Sequence, residues 1–328
     1  HEFSPDPKFL VNTGFRISAA LAPGKNYFVP EPRLSIRYGV ASNESVKISY
    51  SRMSQYMHRI SNSAVTTPTD VWYTVTDVIA PQTSHQVTAA WQKFMTRDRI
   101  FFSAETYYKT MRNLIGYEEG TNLLFNTDFE SKLVQGAGRA YGLELLIRKE
   151  SGQFSGWISY TLSWSRRQFD EINGGNWFAS RYDRRHNGAL VTQYLIGKRW
   201  AASVVCEFIS GARFTPIVGQ FVILAPTLTG VDLIPLYSGI NEVKLADTHR
   251  VDVGIKFMSK SNRKFQWQWF VGVYNVYNRA KTAAELINQY GDLETLLKRA
   301  GEIKQNKRRE TLIENAENAP ISFKLVTL

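Results

Sequence analysis

The sequence predicts an all-β protein: an antiparallel, up-and-down transmembrane β-barrel, present in part as about twelve strands, with a short α-helical segment near the C-terminus. Three observations predict it. Between positions 153 and 168, Phe154, Gly156, Ile158, Tyr160, Leu162 and Trp164 fall on even positions, while Ser155, Ser159, Thr161, Ser163 and Ser165 fall on odd ones. Such period-two alternation gives a strand one apolar, aromatic face and one face of small hydroxyls, with Trp157 among them. It also persists for the roughly 9 to 11 residues that a tilted strand needs to cross a bilayer, beyond the usual globular length of about 5 to 6. Second, short and long connections alternate along the chain, as in barrels with short turns at one end and long loops at the other. Third, Trp91, Trp157, Trp164, Trp200, Trp267 and Trp269 all fall in predicted strands, where aromatic girdles would place them.

The elements follow in order. Residues 9–21 form the first alternating stretch, and 22–31 read as a loop carrying proline and glycine. Strands at 32–39 and 44–52 meet across a polar turn at 40–43. A long polar excursion spans 53–81. Strands at 82–94 and 99–109 meet at 95–98, and the connection 111–138 extends the second of them at its start. Strands at 139–148 and 153–168 meet at 149–152, and a long loop reaches 184. Strands at 185–196 and 199–210 meet at 197–198, and a very long loop spans 211–247. Strands at 248–258 and 265–277 meet at 259–264. Since consecutive strands reverse direction, all the short turns share one end. In outer-membrane barrels that end is periplasmic, which places 53–81, 168–184, 211–247 and the helical segment outside.

Bulk properties agree. The chain has 328 residues, a formal charge of +11 and a mean hydropathy of −0.28. No run approaches the roughly 18 apolar residues of a membrane helix, whereas barrel strands turn half their residues to a polar lumen. Nearly all the positive excess lies ahead of Lys281, scattered over strand ends and turns rather than gathered in one helical stripe; solvated loops and a polar lumen account for it. The lone Cys206 forms no internal disulfide and reads as a small buried or lipid-facing residue. The chain opens His1-Glu2-Phe3, without an initiator Met or a leader-like segment, and is expected to be a mature fragment or a piece of something longer.

Many separate motifs carry a family resemblance. They are the run 31–38 (Glu-Pro-Arg-Leu-Ser-Ile-Arg-Tyr), 51–58 (Ser-Arg-Met-Ser-Gln-Tyr-Met-His), 69–72, 80–82, 104–109, Gly136-Ala-Gly-Arg-Ala-Tyr-Gly-Leu-Glu144, and 156–163 with Phe169, Asn173, Gly174 and Asp183-Arg184-Arg185-His186. Over about residues 9–279 they resemble the C-terminal barrel portion of TonB-dependent outer-membrane receptors. That resemblance implies a bacterial outer-membrane location, a barrel of about 22 strands filled by a plug, and energised uptake of a scarce solute. The expected partners are outer-membrane lipid, the TonB complex through a plug missing from this stretch, and a small solute whose identity the sequence does not give.

The tail departs from this pattern. In 281–319, Leu286, Tyr290, Leu293 and Leu297 recur at helical spacing, and Gly291, Asp292 and Gly301 suit helix ends, giving three short helices. The stretch 281–328 resembles part of the 5′-nuclease domain of bacterial DNA polymerase I, without that family's metal-binding carboxylates. The chain therefore reads as composite: 1–280 a partial barrel, 281–319 a helical segment that is an external loop or a foreign insert, and 320–328 a closing strand.

Chemistry-bearing motifs are sparse. There is no phosphate-binding glycine loop, no His-Glu-x-x-His and no cysteine pair, and no cofactor, metal or catalytic residue is expected. Asn173, Arg181, Asp183, Arg184 and His186 are the candidate solute-binding residues; Asp183-Arg184-Arg185-His186 is the one dense polar constellation, at a loop-to-strand junction. An ion-paired strand start is the plainer reading of the same residues. Glu105 and Glu144 read as solvated lumen carboxylates. Two alternatives to a transporter wall are a nucleic-acid-binding module using the basic tail, which the scattered charge disfavours, and a soluble β-sandwich.

Overall fold

The computed structural model describes residues 2–60, 71–117, 129–224, 231–259 and 267–277. Strands β1 (Glu2–Asp6), β2 (Phe9–Ala22), β3 (Lys25–Ala41) and β4 (Glu44–Gln55) open one antiparallel sheet. A hairpin of β5 (Met57–Ile60) and β6 (Val71–Thr74) stands apart from it. The sheet continues through β7 (Gln82–Met95), β8 (Ile100–Gly116), β9 (Val134–Lys149) and β10 (Phe154–Gln168). After the two-residue β11 (Phe178–Ala179) come β12 (His186–Ile196) and β13 (Trp200–Ile209). The long loop that follows holds β14 (Arg213–Phe214), the hairpin β15 (Ile217–Leu224) with β16 (Val231–Tyr237), and β17 (Val243–Lys244). β18 (Thr248–Met258) and β19 (Gln268–Val273) close the series. Apart from the inserted hairpins every wall strand pairs with its sequence neighbour, in the order β1-β2-β3-β4-β7-β8-β9-β10-β12-β13-β18-β19, and the described residues show no pairing between β1 and β19.

The ladder register sorts the side chains. Tyr108, Tyr141 and Trp164 are directly opposed on β8, β9 and β10, as are Phe102 with Ile147 and Ile147 with Ile158, so one face of the wall is apolar. The other face carries Gln86, Thr88, Ser103, Glu105, Ser159 and Thr161, the hydroxyl face that alternation predicts for β10. Large apolar groups remain exposed on the first face, Phe15 at 67% and Ile48 at 60%, which is how a lipid-facing wall differs from a sandwich core. Cys206 lies on this face, opposite Leu190 and Val251.

Two aromatic belts bound that apolar face. Near the short turns, Trp91 meets Phe102 (centroids 5.1 Å apart), and Trp200 meets Phe257 (4.8 Å) and Trp269 (5.3 Å). Near the long loops, Tyr108, Tyr141 and Trp164 stack in a row, and three histidines each bond a tyrosine hydroxyl on a neighbouring strand or its extension: Tyr50 with His85 (2.8 Å), Tyr160 with His186 (2.8 Å) and Tyr277 with His249 (2.6 Å). From His85 to Trp91, or from His249 to Phe257, the strand runs six to eight residues. At about 3.4 Å per residue this spans roughly 20–27 Å, the height of a barrel's apolar band. Trp157 is the exception among the tryptophans placed in girdles: its register against Arg148 and Val191 turns it to the polar face.

Several sequence expectations are corrected. The loop expected at 22–31 is a tight turn at Pro23-Gly24, with Gly24 at φ 80°, and β3 runs straight through Pro30 and Pro32. Proline normally argues against a strand, but β3 pairs with β4 only from Arg33 onward, so a missing N–H facing that side removes no ladder bond. One loop-end connection is thus short, breaking the strict alternation. The excursions 53–81 and 211–247 are not plain loops, since they hold β5–β6 and β15–β16. The path contains twelve strands, yet one is the unanticipated β1, and the last described strand is Gln268–Val273 rather than 265–277. The helical segment 281–319 and the strand 320–328 lie outside the described residues.

The two faces predict opposite responses to charge. Ile158→Arg on the apolar face is expected to cost about 2–4 kcal/mol, as for Arg near a bilayer midplane, whereas Ser159→Arg on the polar face costs less than about 1 kcal/mol. Urea unfolding in lipid vesicles checks this, and equal costs at the two positions would argue against a membrane wall.

Candidate functional site

At the long-loop end, three glycines flatten the polar face of β9. A Cβ at Gly136 would lie 2.2 Å from the Gln168 carbonyl oxygen and 2.5 Å from the Phe169 ring, and one at Gly138 would lie 2.4 Å from Leu114 Cδ1. Gly142 plays the same part for Tyr107, at 3.0 Å from its hydroxyl. On this flat track Leu114, Phe169 and Ile172 bury together, and Phe178 stacks on Phe169 with centroids 6.1 Å apart. The chain reverses just beyond β10 to deliver Phe169 and Ile172, with the left-handed Asn173 and Gly174 turning it. A second cluster, Ile60, Ile79 and Leu133, seats the β5–β6 hairpin beside Ile115 and Tyr117. Burial first, then the Glu130 carboxylate, pushes the Tyr73 hydroxyl up to about 12, so it stays protonated and bonds Glu130.

Between these clusters lies a cavity of about 390 Å³. Phe169, Ile172 and Phe178 form its apolar floor; Gln55, His58, Gln82, Arg167, Arg181 and Asn241 supply its polar edge. Asn241 is fixed from three sides: its N–H bonds Thr215 Oγ1 (3.0 Å), its amide donates to the Ala179 carbonyl (2.9 Å), and its backbone is left-handed at φ 51°. Two groups are not satisfied. His58 is 2% exposed with neither ring nitrogen hydrogen-bonded, and Arg181 Nη1 is buried without a partner. Burial lowers the His58 pKa and keeps its imidazole neutral, so one ring nitrogen is a free donor and the other a free acceptor. The arrangement suits a ligand with an apolar body and a polar or anionic edge.

The five sequence candidates do not converge. Arg181 lines the cavity. Asp183 is buried and clamped: it accepts the Ser165 N–H (2.8 Å) and pairs with Arg185 (3.1 Å) and Arg213 (3.4 Å), joining the 169–185 loop to the 210–247 loop. Asn173 is exposed on the reversal, its amide directed at the Asn176 carbonyl. Arg184 is exposed. His186 sits on the apolar outer face, bonded to Tyr160. His58, Arg167, Asn241, Gln55 and Gln82 were missed as a site. Gln55 and His58, within the 51–58 motif, and Gln82, at the end of 80–82, carried the only signal, and nothing in the sequence shows that the excursion after His58 folds back over β8. Glu105 and Glu144 are directly opposed on the polar face, consistent with lumen carboxylates.

Residues 2–276 match the family model for the TonB-dependent receptor-like β-barrel. The chain belongs to the TonB-dependent receptor-like β-barrel family. It is therefore a protein of the bacterial outer membrane, in a family of receptors rather than enzymes. Solved structures share the TonB-dependent fold: the ferripyoverdine receptor of Pseudomonas aeruginosa (12% identical, TM-score 0.56, covering 85% of this chain and 34% of that one), the ferric-catecholate import receptor Fiu of Escherichia coli K12 (14%, 0.52, 85% and 39%) and the ferric yersiniabactin uptake receptor of Yersinia pestis (13%, 0.55, 85% and 39%). The chain spans little more than a third of the length of these receptors. A 48-residue stretch is 60% identical to DNA polymerase I of Rhizobium leguminosarum, covering 15% of this chain and 5% of that protein. The TonB-dependent barrel match and the polymerase match together are consistent with a composite sequence.

Two predictions test the site's construction. Gly136→Val must displace the Gln168 carbonyl and Phe169, and is expected to cost about 2–4 kcal/mol by overpacking and to speed proteolysis within 169–185 severalfold. Gly188→Ala, whose new Cβ would meet nothing nearer than 3.8 Å, stays near neutral. The second concerns acid. Lys244 first, then the Gly211 N–H, hold the Asp247 carboxyl below its ordinary range. A carboxyl depressed in the folded state contributes stability above its unfolded pKa of about 3.9 and loses it as pH falls through the folded value. Pepsin cleavage within 211–247, taken relative to that of an unfolded substrate at the same pH, is therefore expected to be flat from about pH 5 to 4 and to rise below that. A rise already complete by about pH 5 would contradict this pairing.

Proposed function

We propose that this chain is barrel wall of an energised outer-membrane importer, and that its solute is first held in the cavity at the loop end. The observation that carries this is the pairing of an apolar floor with the unmet hydrogen bonds of His58 and Arg181, on the side of the wall that faces the lumen. Among the solved neighbours are receptors for ferripyoverdine, a ferric catecholate and ferric yersiniabactin, and a copper transporter, which supports a metal, free or chelated, as the solute class. Such chelates present aromatic or aliphatic bodies with anionic edges, matching floor and rim. The long loops face outward in this reading, the short turns face the periplasm, and 281–319 is a helical insert on the outer side. Coupling to TonB requires a plug outside this stretch, so the wall binds but does not concentrate.

The experiment is binding of ⁵⁵Fe-loaded chelates to outer-membrane vesicles carrying the full chain, paired with uptake by intact cells. A bound chelate is expected to lose about tenfold in affinity in His58→Ala/Arg181→Ala, as when a charged hydrogen bond is removed. Uptake in cells expressing only this chain is expected not to respond to a protonophore. Protonophore-sensitive accumulation would refute the need for a plug, and unchanged affinity in the double variant would remove the cavity from the proposal.

A further inference from the structure

One feature of the apolar outer face does not fit a purely apolar wall. Arg139 on β9 and Arg166 on β10 are directly opposed, two residues beyond the Tyr141–Trp164 stack toward the long loops. Like charges directly opposed across a ladder repel. Yet no carboxylate among the described residues forms an ion pair with either arginine. Arg139 lies under the Trp177 ring, 4.2 Å from its centroid, with Nε buried and without a hydrogen-bond partner. Arg166 is exposed. Alongside, Arg185 lies over Trp164 at 4.5 Å, and its Nε is likewise buried and unpaired although its Nη2 reaches Asp183. Arg139 and Arg166 thus lie on one face just above an aromatic belt, with no anion among the described residues to pair either of them and Arg185 beside them.

Depth decides what they face. The Tyr108–Tyr141–Trp164 row marks the edge of the apolar band, and two further residues along a strand add about 7 Å, the level of lipid headgroups. Anions at that level are lipid phosphates, and guanidinium forks bind phosphate with paired, charge-assisted hydrogen bonds. We propose that Arg139 and Arg166, with Arg185 beside them, form a binding site for the phosphate group of a lipid headgroup on the outer surface of the wall. The site is separate from the solute cavity, so its fate does not depend on that reading. In it the phosphate relieves the repulsion between the two arginines, the aromatic row holds the acyl side, and Trp177 keeps Arg139 aimed outward.

The test is thermal unfolding of the full chain in dodecylmaltoside micelles, with and without a short-chain phosphatidic acid. The phosphate lipid is expected to raise Tm of the unsubstituted protein by at least about 4 °C, and that of Arg139→Gln/Arg166→Gln by less than about 1 °C, since only a ligand bound to the folded state shifts the transition. Phosphatidylcholine, and inorganic phosphate at the same concentration, are expected to give no shift. Equal lipid-induced shifts in the two proteins overturn the site, and a full shift with inorganic phosphate overturns the lipid as its ligand. Should the double variant not fold, the exposed Arg166→Gln alone is read in the same way and must lose at least half of the shift.

Discussion

The wall rests on the requirement that backbone N–H and C=O groups crossing a bilayer find each other, because lipid offers no substitute partner. That requirement explains why strands of 14 to 17 residues stay paired along nearly their whole length, why β9 and β10 match residue for residue from Lys149 and Gly156 to Ala137 and Gln168, and why the inserted hairpins leave the sheet rather than interrupt it. It also dictates where irregularity is allowed. The bulge at Asn113 (φ 58°) lies near the loop end of β8, where the Asn113 amide donates to the Pro81 carbonyl at 2.9 Å and compensates the lost ladder geometry.

With the ladder fixed, the two faces are free to differ, and each is built by a different physics. The outer face keeps large apolar groups exposed and ends in aromatic belts. The inner face tolerates charge if it is paired: Glu31, fully buried, accepts from Arg16 Nε (2.7 Å), Ser18 Oγ (2.9 Å) and the Ser54 N–H (3.2 Å) and also bonds the Ser54 hydroxyl. A buried carboxylate with that many donors is a local tie between β2, β3 and β4 rather than a reactive group.

Period and spacing made the wall legible. Strand β18 falls at residues 248–258 as alternation alone places it, and the apolar and hydroxyl faces of β10 are the faces observed. What alternation does not encode is where a polar segment folds back. His58 reads as one more loop residue until β5 pairs with β6 and the Ile60, Ile79 and Leu133 cluster pulls the hairpin over β8. Asp183 and His186, three positions apart in one dense motif, point to different surroundings because the strand starts between them: one is locked between loops, the other joins a tyrosine on the membrane side. The proline at 30 misled for the same reason, since only the neighbouring strand's reach tells whether a missing donor matters.

The sheet's two ends have a consequence of their own. β1 has five residues and β19 six, beside neighbours of 14 and 11, and neither meets the other. Among the described residues each is therefore left with one unpaired edge, and short terminal strands limit how long a foreign strand can be recruited there. In membrane terms the described wall is a template with two growing points, and its finished curvature belongs to whatever strands complete the circle. Its fate inside a cell is then a matter of kinetics: which strand reaches an open edge first.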